Sequence, residues 1–160
     1  MNHDAELTGS SRAEADADAR GLEIRLVERS NAGSLHEAAA VLGIAPSDIV
    51  KTLVVKRTDG TFLFALIPGG RKIAWPKLRS VVGANKLTMP DASVAFAATG
   101  YERGAITPLG STTAWPVYAD SDISGHVAMG SGDHDHSLFV DAAALLTSLD
   151  AIVADISDPE

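Results

Sequence analysis

Two apolar runs flank the dipeptide Asp59-Gly60: IVKTLVVK, from Ile49 to Lys56, and TFLFALI, from Thr61 to Ile67. Both are rich in β-branched or aromatic residues and are strand-length, and Asp-Gly is a tight-turn signal. Together they predict an antiparallel hairpin. Along the first strand, period two puts Ile49, Lys51, Leu53 and Val55 on one face and Val50, Thr52 and Val54 on the other.

Outward from the hairpin, short elements succeed one another without a regular βαβ rhythm. Upstream, Leu22, Ile24 and Leu26 alternate with Glu23, Arg25 and Val27, as on a half-buried strand. Ser30 to Gly33 reads as a loop. Ser34-Leu35-His36-Glu37 fits a capping box opening a helix from Leu35 to Leu42, which Gly43 ends. Downstream, Pro68-Gly69-Gly70 breaks the strand, and a helix with Pro76 in its first turn runs to Gly83. A short strand follows at Lys86 to Met89, then a helix capped by Asp91 and running to Ala98. Three strands are expected around Pro116 to Ala119, His126 to Met129 and Leu138 to Val140. Asp141 then caps a helix to Leu149, and Ile152, Val153 and Ile156 dock a last turn. The fold class is α+β, with a mixed, mainly antiparallel sheet flanked by short helices. Residues 1–20, polar and Ala/Asp-rich, are expected to form a disordered or frayed arm. Residues 21–156 form one domain, and 157–160 are an acidic tail.

Charge is unevenly distributed. The 160 residues carry a net −8, of which −3 lies in residues 1–20 and −4 in residues 150–160. From Lys51 to Arg103, nine bases face three acids, a net +6. That centre suits a phosphate-bearing ligand, and equally a set of solvated surface lysines. The chain has no cysteine, which excludes disulfides, thiolate metal sites and a cysteine nucleophile. It also fits a reducing cytoplasm. Neither a membrane-spanning run nor a signal peptide is evident.

Four features could carry chemistry. Lys51, inside an apolar strand, either guards a sheet edge or serves a ligand. The loop GYERGAITPLG, Gly100 to Gly110, removes side chains at Gly100, Gly104 and Gly110 and is stiffened by Pro108. It could bring backbone N–H groups to an oxygen of a ligand, with Tyr101 as a stacking surface, or be a tight turn around a core tyrosine. Gly130-Ser131-Gly132 is either a second backbone cradle or a β-turn. His134 and His136 could chelate a metal if both lay on one strand, or lie in a solvated loop. No serine elbow, Walker-type loop or H-E-x-x-H motif is present.

In order, these residues resemble the YbaK/ProX family of prolyl-tRNA editing domains. The lysine in I-V-K-T-L-V-V is followed by G-x-N-K-L at Gly83 to Leu87, T-G-Y-x-x-G-x-I-T-P-L-G at Thr99 to Gly110, and G-S-G at Gly130 to Gly132. The resemblance spans about Gly21 to Ile156. It implies a curved, barrel-like sheet and hydrolysis of the ester joining a wrong amino acid, typically cysteine or alanine, to the 3′ end of the tRNA for proline. It further implies no cofactor and a reaction assisted by the substrate's own 2′-hydroxyl. By that resemblance Lys51, Gly104 and Gly130 are catalytic. Lys51 anchors a phosphate or the aminoacyl group, and backbone N–H groups near Gly104 and Gly130 orient the carbonyl. Gly100, Tyr101, Pro108, Ser131 and Gly132 bind substrate. Where relatives carry basic residues after the second cradle, this chain has Asp133, His134, Asp135 and His136. The expected partner is the aminoacyl-tRNA acceptor end, with editing in trans, transient contact with prolyl-tRNA synthetase, and no DNA or membrane. A tRNA- or nucleotide-binding module without catalysis is the alternative, and a histidine-metal hydrolase a third reading.

Overall fold

The computed structural model describes residues 9–29 and 34–160. In chain order the elements are α1 (Gly9–Arg20), β1 (Ile24–Glu28), α2 (Leu35–Leu42), β2 (Ile49–Arg57), β3 (Phe62–Pro68), β4 (Arg71–Ile73), α3 (Trp75–Val82), β5 (Leu87–Thr88), α4 (Ala92–Thr99), β6 (Val117–Asp120), β7 (His126–Gly130), β8 (His136–Asp141), α5 (Ala142–Ser148), β9 (Ile152–Ala154) and β10 (Ser157–Pro159).

The β2–β3 hairpin forms as expected, in antiparallel register from Val50↔Pro68 to Lys56↔Phe62. Its turn is set by Gly60 at φ 85° and by Asp59, whose carboxylate accepts the backbone N–H (2.9 Å) and hydroxyl (2.6 Å) of Thr61. The main sheet has the order β1-β8-β7-β2-β3-β6-β9, and β5 also pairs with β2. The β1–β8, β7–β8, β2–β3 and β2–β5 pairs are antiparallel; β2–β7, β3–β6 and β6–β9 are parallel. The fold is therefore α+β on a mixed, mostly antiparallel sheet.

Central β3 is buried on both faces and supplies two cores. Phe64 and Leu66 pack with Val50, Val54, Leu138 and Leu145 on one side. Leu63, Ala65 and Ile67 pack with Val55, Leu78 and Ile156 on the other. Burying each large side chain contributes roughly 1.5–3 kcal/mol. Ser34 caps α2 by accepting the Glu37 N–H, and Asp141 caps α5 by accepting the Ala144 N–H. Asp91 sits at the α4 N-cap without a side-chain capping bond.

Three expectations need correction. Residues 9–20 are a helix rather than a frayed arm, with Ser10, Ala13 and Ala17 buried on one stripe. A stripe of such small residues carries almost no hydrophobic signal in sequence, yet lets the helix approach closely. Arg20 fixes its end by donating to the Ser148 carbonyl (2.6 Å) and pairing with Asp16 (3.0 Å). Second, Ile152 to Ala154 is a strand beside β6, not a last turn, with Ile152 and Val153 exposed and only Ile156 buried. Third, the supposed tail is β10, paired antiparallel with β4. The buried Asp120 carboxylate anchors it by accepting the Ile156 N–H (3.1 Å) and the Ser157 hydroxyl (2.7 Å). The Ser30 to Gly33 loop and residues 1–8 lie outside the described residues. No described helix is long and apolar enough to cross a membrane.

Candidate active site

On the edge of β2 away from β3, β7 pairs only with Ile49 and Val50, and β5 only with Lys56 and Arg57. Between them residues 51–55 have no neighbouring strand on that side among the described residues. The bonds Arg57 N–H to Thr61 O and Gly69 N–H to Ile49 O show that odd-numbered residues of β2 hydrogen-bond toward β3. Period two therefore turns the N–H and C=O groups of Thr52 and Val54 into the gap. The Thr52 hydroxyl, buried there, also has no hydrogen-bond partner.

The gap opens into a cavity of about 520 Å³, within the range of small-molecule sites and larger than one small amino-acid side chain requires. β2 forms its floor from Ile49 to Val54. Ala38 and Leu42 of α2, Met89 and Pro90 after β5, and Ala95 of α4 make apolar walls. Arg103, Gly104 and Ile106 of the glycine loop close one side, facing Met129 and Gly130 of β7. Arg29 also lines the cavity, and among the described residues no acidic one does, so its field favours an anionic ligand. Arg103 donates to the Pro90 carbonyl (3.0 Å), tying the loop to the segment after β5.

Of the residues expected to form a site, Lys51, Gly104 and Gly130 line this cavity. Lys51 does so along the strand, but its amine is directed elsewhere. Nζ donates to the Arg71 carbonyl (2.5 Å) and pairs with Glu160 (3.1 Å), neither of which lines the cavity. The side chain is 34% exposed and held at the joint with β4 and β10 instead of facing the glycine loop. Gly130 is required by packing, since a Cβ there would lie 2.4 Å from the Ile106 carbonyl oxygen. A Cβ on Gly104, at φ 95°, would meet only the His134 ring within 4 Å among the described residues.

Gly100, Tyr101, Pro108, Ser131 and Gly132 do not line the cavity. Tyr101 is 1% exposed, its hydroxyl donates to the Leu109 carbonyl (2.6 Å), and the Arg12 guanidinium covers its ring at 4.6 Å, so no face is open for stacking. Burial pushes its phenol up to about 12, Arg12 opposing and Asp16 reinforcing the shift. Pro108 is buried in the same loop. Ser131 is buried with its hydroxyl on the His136 carbonyl (2.7 Å). A Cβ on Gly132 would strike the Gly9 carbonyl at 2.4 Å, and one on Gly100 the Arg12 guanidinium at 2.7 Å. These residues shape the loops from behind.

The residues that sequence reasoning missed lie on α1. Arg12 donates to the carbonyls of Thr99 (3.1 Å), Gly100 (3.3 Å) and Gly110 (2.6 Å). Asp16 accepts the Gly110 N–H (2.9 Å). One helix thus grips both ends of the glycine loop. The available signal was an i, i+4 Arg–Asp pair on an Ala-rich segment, too common to single out.

The acidic stretch after Gly132 is turned inward on itself. Burial raises the Asp133 pKa, but hydrogen bonds from Ser10 and His136 outweigh it, holding the carboxyl below its ordinary range. His136 faces Asp133 (3.0 Å), whereas His134, 53% exposed, faces Glu102 (3.7 Å). His134 lies in the turn before β8, so the two rings do not share a strand. Among the described residues no three His, Asp or Glu side chains are grouped to hold a metal ion.

Comparison with known proteins places this architecture. The chain is 28% identical over 129 residues to the Enterococcus faecalis "Putative Cys-tRNA(Pro)/Cys-tRNA(Cys) deacylase EbsC", covering 79% of each. It is 33% identical over 136 residues to the proline–tRNA ligase of Desulfovibrio desulfuricans, covering 80% of this chain but 23% of the ligase. The chain covers 14–23% of the length of the proline–tRNA ligases it matches. A solved "putative trans-editing enzyme for prolyl tRNA synthetase" superposes with a TM-score of 0.86 at 25% identity, over 93% of this chain and 96% of that one. The model of the family described as "Aminoacyl-tRNA editing domain" matches residues 29–147, and the chain belongs to that family.

Proposed function

We propose that the protein hydrolyses the ester bond of a mischarged aminoacyl-tRNA, acting in trans in the cytoplasm on a cysteinyl or alanyl group carried by the tRNA for proline. The observation that carries this reading is the acid-free, cation-rimmed cavity floored by the free edge of β2. An aminoacyl ester is already activated, so positioning and charge stabilisation suffice, with the vicinal 2′-hydroxyl directing a water. The terminal adenosine and its ester enter the cavity, where the Gly104 N–H and the main-chain groups of Thr52 and Val54 meet the carbonyl and the α-amino group. Gly130 keeps the opposite wall close. Lys51 reaches a phosphate at the rim by exchanging the Glu160 carboxylate for it, one anion for another. The apolar walls select by size, and one methylene is worth only ~1–3 kcal/mol, so neighbouring small amino acids such as Ala, Cys, Ser and Thr are discriminated weakly. Transient contact with prolyl-tRNA synthetase would deliver the product before it is used.

The test is a deacylation screen across Ala-, Cys-, Ser- and Pro-charged tRNA for proline, with Lys51→Ala alongside. Ester loss from at least one mischarged tRNA, abolished in a Lys51→Ala variant with unchanged circular dichroism, supports the reading. Full activity in that variant removes Lys51 from the mechanism. RNA retention by the wild-type protein with no ester loss favours a binding module.

A further inference from the structure

A second, smaller concavity of about 250 Å³ lies where β2 meets β5, lined by Lys56, Arg57, Thr58, Lys86 and Thr88. Every lining side chain is a cation or a hydroxyl, the composition that contacts nucleic-acid phosphates. This in a chain of net charge −8 is not an average surface. Among the described residues no ion pair engages Lys56 or Lys86. The adjacent acid, Asp59, is turned onto Thr61, although Arg57 feels its charge.

The two concavities adjoin along β2 and the segment after β5, though no residue lines both. Val50, Thr52, Val54 and Lys56 lie on one face of β2 by period two, and Thr88 is directly opposite Lys56. Met89 and Pro90, next after Thr88, line the larger cavity. From Thr52 to Lys56 the strand rises about 13 Å. A polynucleotide whose terminal residue occupies the larger cavity and which leaves along β2 runs over these lysines.

We propose that Lys56 and Lys86 form a phosphate subsite for the nucleotides immediately preceding the terminal one in the RNA acceptor strand. This rests on the editing reading for the identity of the strand, and its test is separable from that reading. The measurement is fluorescence anisotropy of an uncharged RNA hairpin with a single-stranded CCA end, across a salt series. The proteins are wild type, the Lys56→Ala/Lys86→Ala double variant and Lys72→Ala, an exposed lysine on β4. The double variant should bind roughly tenfold more weakly, with a log–log salt slope shallower by about 1.4, near 0.7 for each lost single-strand phosphate contact. Lys72→Ala should match wild type. Hydrolysis of an aminoacyl ester of adenosine, which lacks the preceding phosphates, should be unchanged in the double variant. Affinity and slope equal to wild type would overturn the proposal, as would an equal loss in Lys72→Ala. Weakening confined to adenosine monophosphate, with RNA affinity intact, would overturn it too. If wild type cleaves no aminoacyl ester yet the lysine-dependent RNA affinity is found, the editing reading fails while the subsite stands.

Discussion

Helix α1 and the β2–β3 hairpin position different parts of the same cavity, and they do so by different forces. The hairpin is a floor built from apolar burial, with Phe64, Leu66, Leu63 and Ile67 locked between two cores. Helix α1 buries only Ser10, Ala13 and Ala17, and works through Arg12 and Asp16, which bond the main chain of the glycine loop. Burial fixes the strand's position but leaves its free edge polar. The helix fixes a loop that has too few side chains to pack for itself. Losing the floor should therefore cost stability first, whereas losing the clamp should cost loop geometry first.

The largest expected effect is on the floor. Phe64→Ala empties space between β3 and the first core and should destabilise the fold by about 3–5 kcal/mol, read from denaturant midpoints. A loss below 1 kcal/mol, on the order of a surface change, would show that the hairpin is not the stabilising half. Next, Arg12→Ala should cost about 1.5–3 kcal/mol, because three carbonyls lose a charged donor. Its sharper signature is faster amide exchange across the glycine loop, with hydrolysis falling mainly through kcat. Arg12→Lys restores charge without the forked geometry and should recover only part of this. Asp16→Ala removes one bond to the loop, from the Gly110 N–H, together with the partly exposed Arg20 ion pair, and should cost about 1 kcal/mol. If it costs as much as Arg12→Ala, the clamp acts as one unit and the comparison must be redrawn around the pair.

The smallest effect is a titration. The Tyr101 phenol is raised from 10.0 to about 12, so the folded protein keeps it neutral where the unfolded chain ionises it. Stability from this group is full below pH 10 and is lost as pH rises from there through about 12. Ultraviolet titration should show a late-ionising phenol that Tyr101→Phe removes; ionisation near 10 in the native protein would mean that the clamp leaves the ring open.

Legibility in the sequence follows the same division. The hairpin, α2 with its Ser34 cap, α5 with its Asp141 cap and the glycines that end α2 and α3 were readable, because apolar period and capping chemistry are local signals. Of the expected site residues, Lys51, Gly104 and Gly130 line the cavity, with the Lys51 amine directed away from it. The rest of the glycine motif was read as contacting a ligand because glycine and tyrosine in a loop look alike whether they face a substrate or a supporting helix. Tyr101 and Gly100 are explained by Arg12, some 90 residues away in sequence, and no local pattern encodes that partner. The direction of the Lys51 amine was likewise set by β10, a strand whose Ser-Asp-Pro composition gives no strand signal.

The gap between β7 and β5 has a consequence for how this protein can be dissected. Apart from the Thr52 hydroxyl, the polar atoms that Thr52 and Val54 offer to the cavity belong to the peptide backbone, so a side-chain scan passes over them in silence. Amide-to-ester replacement at those two positions would interrogate the floor directly.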